Sequence, residues 1–321
     1  SYYEKYPERR RDFEQLVEAA QALKPVEIYD RNHGKQDPGL QFPERYQPLI
    51  QGTLPVAEID RAYKGYRYAI TVNTVKQSQS MFARRAFELL ASNTVTISNF
   101  SRGQKLLLGD LVVSGGSAVS LRNALEKRIG HENDERRFRL AGLRKVMGEH
   151  TYAHRLAYMA HKVLDRPLVS QDASILIVCA VASQDQVDAV IRAFDAQVAA
   201  SRKLMLVVAP GFLPGIAPGV DVALVTEQEA REIDPSVRWP DTFVGTFDAR
   251  DHYGPHYLRD LQLAARYSDS AILGKGAFYV ATGDGPRLQE DGSQYRHHEM
   301  RWPLRRAILG SRVLEGVSLY D

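Results

Sequence analysis

Between residues 8 and 23 the apolar positions Phe13, Leu16, Val17, Ala20 and Leu23 recur at helical spacing, which predicts an amphipathic helix. Val26–Asp30 then reads as a short strand closed by the polar turn Arg31-Asn32-His33-Gly34. A stretch rich in Pro and Gly, from Lys35 to about Pro55, predicts a loop. Strands are expected at Arg67–Val72, Thr94–Ser98 and Leu111–Ser114, with a helix from about Ser80 to Ala91 between the first two. Helices over about 117–129, 134–147 and 151–164 close this region. Strands and helices alternating at such intervals argue for parallel βαβ units.

Asp165–Asp172, with Pro167 inside it, reads as a domain boundary dividing the chain into residues 1–166 and 167–321. Beyond it the pattern restarts. A strand is expected at Ser174–Ala182, a helix at 184–199, and strands at Lys203–Ala209 and Val220–Val225, after which Phe243–Phe247 leads into the segment Asp248–Pro255. A helix at 256–267 and a strand at Ala271–Val280 follow. The predicted fold class is α/β, as two Rossmann-like α/β domains with no detectable repeat between them.

Composition narrows the class. Apolar residues make up 44% and charged residues 25% of the 321, an ordinary globular balance that excludes a disordered or collagen-like chain. The apolar run Ile175–Ala182 is far shorter than the ~20 residues a bilayer-crossing helix needs, so no transmembrane segment is expected. The heavily charged first 25 residues do not read as a signal peptide. The one cysteine, Cys179, has no partner for an internal disulfide, and a reducing, cytoplasmic setting is expected. It lies within an apolar run, where a buried small hydrophobe is the expected role.

The net charge of +3 is unevenly spread, with +8 on residues 1–166 and −5 on residues 167–321. The first half therefore favours anionic ligands such as phosphates, although a solvated basic face accounts for most of these side chains. Zinc-finger spacing, an RNP motif and a basic helix with interleaved aromatics are all missing, so nucleic acid is not an expected partner. Neither G-x-G-x-x-G nor a P-loop occurs.

In open α/β sheets ligands bind where strands end and helices begin. Here a strand delivers Asn73 and Thr74 to its carboxyl end and a helix is expected to begin near Ser80. Ser80, Arg84 and Glu88 stand at i, i+4 and i+8, one face of that helix, which a solvated surface would also explain. Five segments carry a family likeness: S-Y-Y-E-K-Y-P-E-R-R at the start, I-Y-D-R-N (Ile28–Asn32), F-P-E-R-Y (Phe42–Tyr46), M-F-A-R-R-A-F-E-L-L-A-S (Met81–Ser92) and G-E-H-T-Y-A-H-R-L (Gly148–Leu156). Together, from Tyr2 to about Leu164, they resemble the donor-binding half of GT-B glycosyltransferases, in the spore-maturation (CgeB-like) group of the retaining E-x7-E type.

That resemblance implies transfer of a hexosyl group, with retention, from a nucleotide-diphosphate sugar, UDP-linked foremost, to a glycan or other cell-surface acceptor. It implies that Glu88 accepts hydrogen bonds from the nucleotide ribose, an ionised acceptor suiting vicinal hydroxyls. Arg31 and Arg84 would offset the diphosphate charge, and Asn73 and Ser80 would contact sugar or phosphate. No metal is implied in this domain, because the arginines and a helix amino-terminus carry that charge. Ser80 stands where the family pattern has its first Glu, and a serine supplies no negative charge. The likeness covers only the second half of a GT-B enzyme, so an amino-terminal, acceptor-binding half is expected as a partner. The alternative is a non-catalytic nucleotide-binding or scaffold module of a larger glycan-assembly enzyme. A cytoplasmic place, peripheral at the inner membrane face, fits either.

A second likeness covers about Ala173 to Ser311. I-L-I-V-C-A-V-A-S-Q-D-Q-V-D-A-V-I-R-A-F-D-A-Q, K-L-M-L-V-V-A-P-G, and F-D-A-R-D-H-Y-G-P-H-Y-L-R-D (Phe247–Asp260) followed by I-L-G-K resemble GT-A, family-two-like glycosyltransferases. In those a D-x-D pair holds Mg²⁺ or Mn²⁺ against the donor diphosphate, as hard oxygen ligands do. Asp248 matches the first Asp, but Arg250 occupies the place of the second. Either Arg250 replaces the cation and pairs with diphosphate, or the domain is a degenerate, structural copy. Asp251 with His252 is a further metal candidate, against the simpler reading of a surface turn. If the second domain is the enzyme, Asp248 and Asp251 are essential and Mg²⁺ or Mn²⁺ is needed.

The remaining candidates are histidines. His297-His298 beside Glu299 has metal-like spacing, yet adjacent residues of a strand face opposite ways. His150 and His154 stand at i and i+4 as a zinc pair would, without the Glu of H-E-x-x-H; helix capping and packing is the competing reading.

Overall fold

The structure, a computed structural model, describes residues 6–167, 172–216, 219–289 and 303–320. The chain forms two compact units, Ser1–Leu168 and Val169–Asp321, each an α/β arrangement built on parallel strands. His297, His298, Glu299 and the first residues of the S-Y-Y-E-K segment lie outside the described residues.

The first unit opens with α1 (Pro7–Gln21), whose first residue is a proline, suited to a position that needs no N–H. β1 (Ile28–Tyr29) pairs in parallel with β2 (Ile50–Gly52), and α2 (Ile59–Lys64) follows. Then come β3 (Tyr68–Thr71), α3 (Arg85–Ala91), β4 (Val95–Asn99), α4 (Arg102–Leu108), β5 (Val113–Gly115), α5 (Ala118–Glu126), α6 (Glu132–Glu149) and α7 (Tyr152–Leu164). β3, β4 and β5 form a three-stranded parallel sheet in that order, with Ile70 opposite Ile97 and Ile97 opposite Val113. All five residues of β4 are buried. Its Val95 and Ile97 pack with Leu16 and Ala19 of α1 and Leu121 and Leu125 of α5. Thr96 and Ser98 alternate with them and point to the opposite face.

Two contacts fix the helices on that sheet. Glu135 of α6 is buried, pairs with Arg67 Nε at 3.2 Å and accepts the Tyr68 hydroxyl, so its charge is compensated where β3 begins. Gly142 of α6 meets Leu90 of α3. A Cβ there would stand 2.7 Å from Leu90 Cδ2, so the close crossing of the two helices depends on a residue without a side chain.

The second unit contains β6 (Ser174–Val181), α8 (Gln184–Asp195), β7 (Arg202–Val208), β8 (Val222–Thr226), α9 (Glu227–Arg231), α10 (Pro235–Arg238), β9 (Thr242–Gly245), α11 (Tyr257–Ala264), β10 (Ile272–Gly274), the hairpin β11 (Phe278–Thr282) and β12 (Gly285–Gln289), and β13 (Ala307–Gly310). Six of these strands form one sheet in the order β10-β13-β9-β6-β7-β8, in which β13 alone runs against its neighbours. β6 lies inside the sheet and is buried on both faces, as parallel strands are. Ile175, Ile177, Cys179 and Val181 pack with α8 and α11, while Leu176 and Val178 pack with Ala230 and Val244. The chain runs from β6 outward to β7 and β8, then returns to β9 on the other side of β6. The carboxyl ends of β6 and β9 therefore flank a topological switch point, where open α/β sheets bind ligands.

Three expectations are corrected. The helix expected from Ser80 begins at Arg85, because the Ser78 hydroxyl accepts the N–H groups of Ser80 and Met81 and holds them in a side-chain turn. The region expected as loop between Lys35 and Pro55 contains β2 and a 3₁₀ run, Glu44–Leu49. The strand expected over Ala271–Val280 divides into β10 and β11, the chain leaving the sheet around Gly276. Among the described residues no helix is long and apolar enough to cross a membrane.

Candidate functional site

A cavity of about 940 Å³ opens within the first unit, walled by residues of α1, β1, α2, β3 and α3. Its polar wall gathers Arg31, Tyr63, Tyr66, Arg84, Arg85 and Glu88. Glu88, half-buried on α3, is held at both oxygens. Arg84 Nε stands 3.2 Å from Oε1, and the Tyr63 hydroxyl donates to Oε2 at 3.0 Å. Arg85 Nε donates to the same hydroxyl at 3.3 Å. Desolvation raises the Tyr63 phenol above its ordinary value. Arg84 is 83% exposed, free to turn its guanidinium toward an anion. Arg31 stands in the turn after β1, shaped by the Asp30 carboxylate, which accepts the Asn32 N–H at 3.1 Å. The Tyr29 and Tyr66 hydroxyls lie 3.0 Å apart, and Tyr66 is also bonded to Glu27. Thr71, at the end of β3, lines the cavity with a buried hydroxyl that has no hydrogen-bond partner.

Arg31, Arg84 and Glu88 are thus brought together, whereas Asn73 and Ser80 are not. The Asn73 carboxamide is buried and consumed by the protein. Its Nδ2 donates to Ser98 Oγ at 2.8 Å and Gln104 Oε1 at 3.2 Å, and its Oδ1 accepts the Ala83 N–H at 2.8 Å. It fixes the segment that leads into α3. Ser80 is exposed, five residues ahead of α3, and does not line the cavity, so it shares no helical face with Arg84 and Glu88. α3 has only seven residues, and Arg84 and Arg85 stand at its start. The sequence offers no signal for Tyr63 and Tyr66, and it places Arg85 beside Arg84 on the expected helix without a role. Tyr63 belongs to a helix 25 positions before Glu88.

In the second unit Asp248 follows β9 at the switch point. Arg250 grips it through two bonds, Nε to Oδ1 at 3.0 Å and a terminal nitrogen to Oδ2 at 2.8 Å, and adds its backbone N–H to Oδ1 at 3.0 Å. Arg305 lies 3.7 Å from Asp248 Oδ2 and 3.4 Å from Asp251 Oδ2. The bonds from Arg250 hold the Asp248 carboxyl well below its ordinary value, at about 2. A divalent cation needs several open oxygen ligands. Asp248 has both oxygens on a guanidinium, Asp251 faces a second arginine, and among the described residues no three His, Cys, Asp or Glu side chains converge. As paired here, the described residues around Asp248 do not fit Mg²⁺ or Mn²⁺.

The other candidates have structural roles. Thr151 and His154 cap α7 reciprocally, and the His150 ring stands edge-on to Phe87 at 5.5 Å. Cys179 is buried and its sulfur accepts the Phe247 N–H at 3.4 Å; burial pushes its thiol up to about 11, which is no nucleophile.

A cavity of this size, walled by arginines and tyrosines, has the volume of a small-molecule pocket. Residues 9–161, nearly the whole of this unit and just under half of the chain, match a family described as glycosyl transferase-like. That segment is similar to the glycosyl transferase-like family, and the match supports a GT-B-type glycosyltransferase. No curated protein matches the sequence.

Proposed function

We propose that the first unit binds a nucleotide-diphosphate sugar, UDP-linked in the first instance, and serves transfer of its sugar to a glycan acceptor in the manner of the CgeB-like group. The observation that carries this reading is the convergence of Arg31, Arg84 and Glu88 on one 940 Å³ cavity inside the glycosyltransferase-like segment. Glu88 accepts the vicinal hydroxyls of the ribose. Arg84 and Arg31 meet the diphosphate, whose charge grows as the sugar departs, so their attraction is strongest in the transition state. Arg84 turns from Glu88 to the phosphate and thereby leaves Oε1 to a ribose hydroxyl. The second unit serves as a GT-A-like structural companion, a reading favoured by the guanidinium gripping Asp248.

Calorimetric titration of UDP, GDP and UDP-sugars into the wild type and Glu88→Ala, with and without Mn²⁺, tests this. Metal-independent binding is expected, weakened about tenfold in Glu88→Ala for the loss of one to two charge-assisted hydrogen bonds. Binding that needs Mn²⁺ and survives Glu88→Ala would move the chemistry to Asp248 and Asp251. A chain that binds no nucleotide would be a scaffold.

A further inference from the structure

We propose that Tyr63 is a positioning residue that sets the orientation of Glu88 and, through it, the preference of the site for ribose over 2′-deoxyribose. The inference rests on the reading of Glu88 as the ribose acceptor. A carboxylate on a helix surface turns freely between rotamers, and a diol finds it in the chelating orientation only part of the time. Here that freedom is removed before any ligand arrives. The Tyr63 phenol has one proton and spends it on Glu88 Oε2 at 3.0 Å. Its oxygen accepts from Arg85 Nε at 3.3 Å, so donation in the opposite direction is blocked.

The phenol itself is referenced to α3, the helix that bears Glu88. The Tyr63 carbonyl accepts the Thr94 hydroxyl at 2.5 Å, and the Thr94 N–H returns to the Leu89 carbonyl at 3.1 Å. Tyr63 is therefore anchored through its backbone at the end of α3 and through its side chain at the middle of it. With Oε2 fixed, the plane of the carboxylate is fixed, and Oε1 is the oxygen that Arg84 and a ribose hydroxyl exchange. Such preorganisation raises affinity only for a ligand that uses the oriented group. A nucleotide lacking the 2′-hydroxyl gains less from it.

The test is calorimetry with UDP and GDP and their 2′-deoxy counterparts, on the full chain without metal, for the wild type, Tyr63→Phe and Glu88→Gln. The wild type is expected to favour the ribonucleotide about tenfold, the worth of one hydrogen bond to a charged group. Tyr63→Phe keeps the ring in place, so the fold is retained, as circular dichroism would verify. Its ribonucleotide affinity should fall about three- to tenfold while the deoxy affinity changes by less than about twofold, so the preference collapses. Equal losses for both sugars would make Tyr63 a packing residue and overturn the proposal. So would a preference intact in Tyr63→Phe but lost in Glu88→Gln, which would leave the Glu88 reading standing. A wild type with no ribose preference, or no nucleotide binding, would remove the Glu88 reading and this proposal with it.

Discussion

Replacing Asn73 by alanine separates a structural asparagine from a ligand-binding one. The substitution deletes two donated bonds, to Ser98 Oγ and Gln104 Oε1, and one accepted bond, from the Ala83 N–H. Ser98 keeps a partner, since its hydroxyl also donates to the Asn99 carbonyl at 3.0 Å. Gln104 Oε1 and the Ala83 N–H lose theirs. Two orphaned polar groups cost about 1–2 kcal/mol each, and the lost Ser98 bond about 0.5–1 kcal/mol more. The sum is about 3 kcal/mol, reduced toward 2 if a water occupies the vacated space. That is a large share of the ~5–15 kcal/mol that holds a domain together. Urea unfolding followed by far-UV circular dichroism measures it. Both tryptophans lie beyond residue 168 in the sequence, and Trp239 packs on the core of the second unit, so tryptophan fluorescence supplies an internal control. The expected result is a lowered dichroism midpoint with the fluorescence transition in place. A loss below about 0.5 kcal/mol, joined to weakened nucleotide binding, would refute the network argument and return Asn73 to the ligand.

Asp248 should titrate near pH 2 in a carbon-detected carboxyl experiment, and Arg250→Ala should raise that midpoint toward the ordinary value; a wild-type midpoint near 4 would refute the pairing. Because the folded-state value is the depressed one, the ion pair stabilises the second unit above about pH 4 and fades as pH falls toward about 2. Asp248→Asn should therefore cost about 1–2 kcal/mol at neutral pH, the linkage value of that shift discounted for the exposed Arg250, and little at the acid end of that window. Cys179 should resist a disulfide reagent at about pH 8 in the native chain and react once the second unit is unfolded by guanidinium chloride; rapid native labelling would contradict its burial.

What could be read along the chain was what local pattern encodes. β3, β4, β6 and β7 announced themselves as apolar runs between turn residues, and α6 as a long periodic stretch. The start of α3 was misplaced because Ser78 offers the backbone a bonded alternative to the helix, a choice that periodicity does not register. β13 was missed because its pairing is with Phe243, Val244 and Gly245, more than sixty positions earlier. The site divides in the same way. Arg84 and Glu88 share one short segment and were legible together, whereas the tyrosine that orients Glu88 reaches it only through the tertiary fold. A polar residue at a strand end, such as Asn73, suits a ligand role, yet Ser98, Gln104 and Ala83 satisfy every polar atom of its side chain.

The paired arginines around Asp248 also bear on the mutational routes open to the second unit. Arg250 and Arg305 come from separate turns, and each approaches the same carboxylate. A single change of Arg250 to a carboxylate would give a D-x-D or D-x-E spacing while leaving Arg305 3.7 Å from Asp248 and 3.4 Å from Asp251, so a guanidinium would still neutralise the existing acids. Removing Arg305 alone leaves the grip of Arg250 intact. Neither step is rewarded by itself, so the two positions are epistatic. Opening this turn to a cation would require both changes, and drift from a charge-paired turn to a metal site is slowed accordingly.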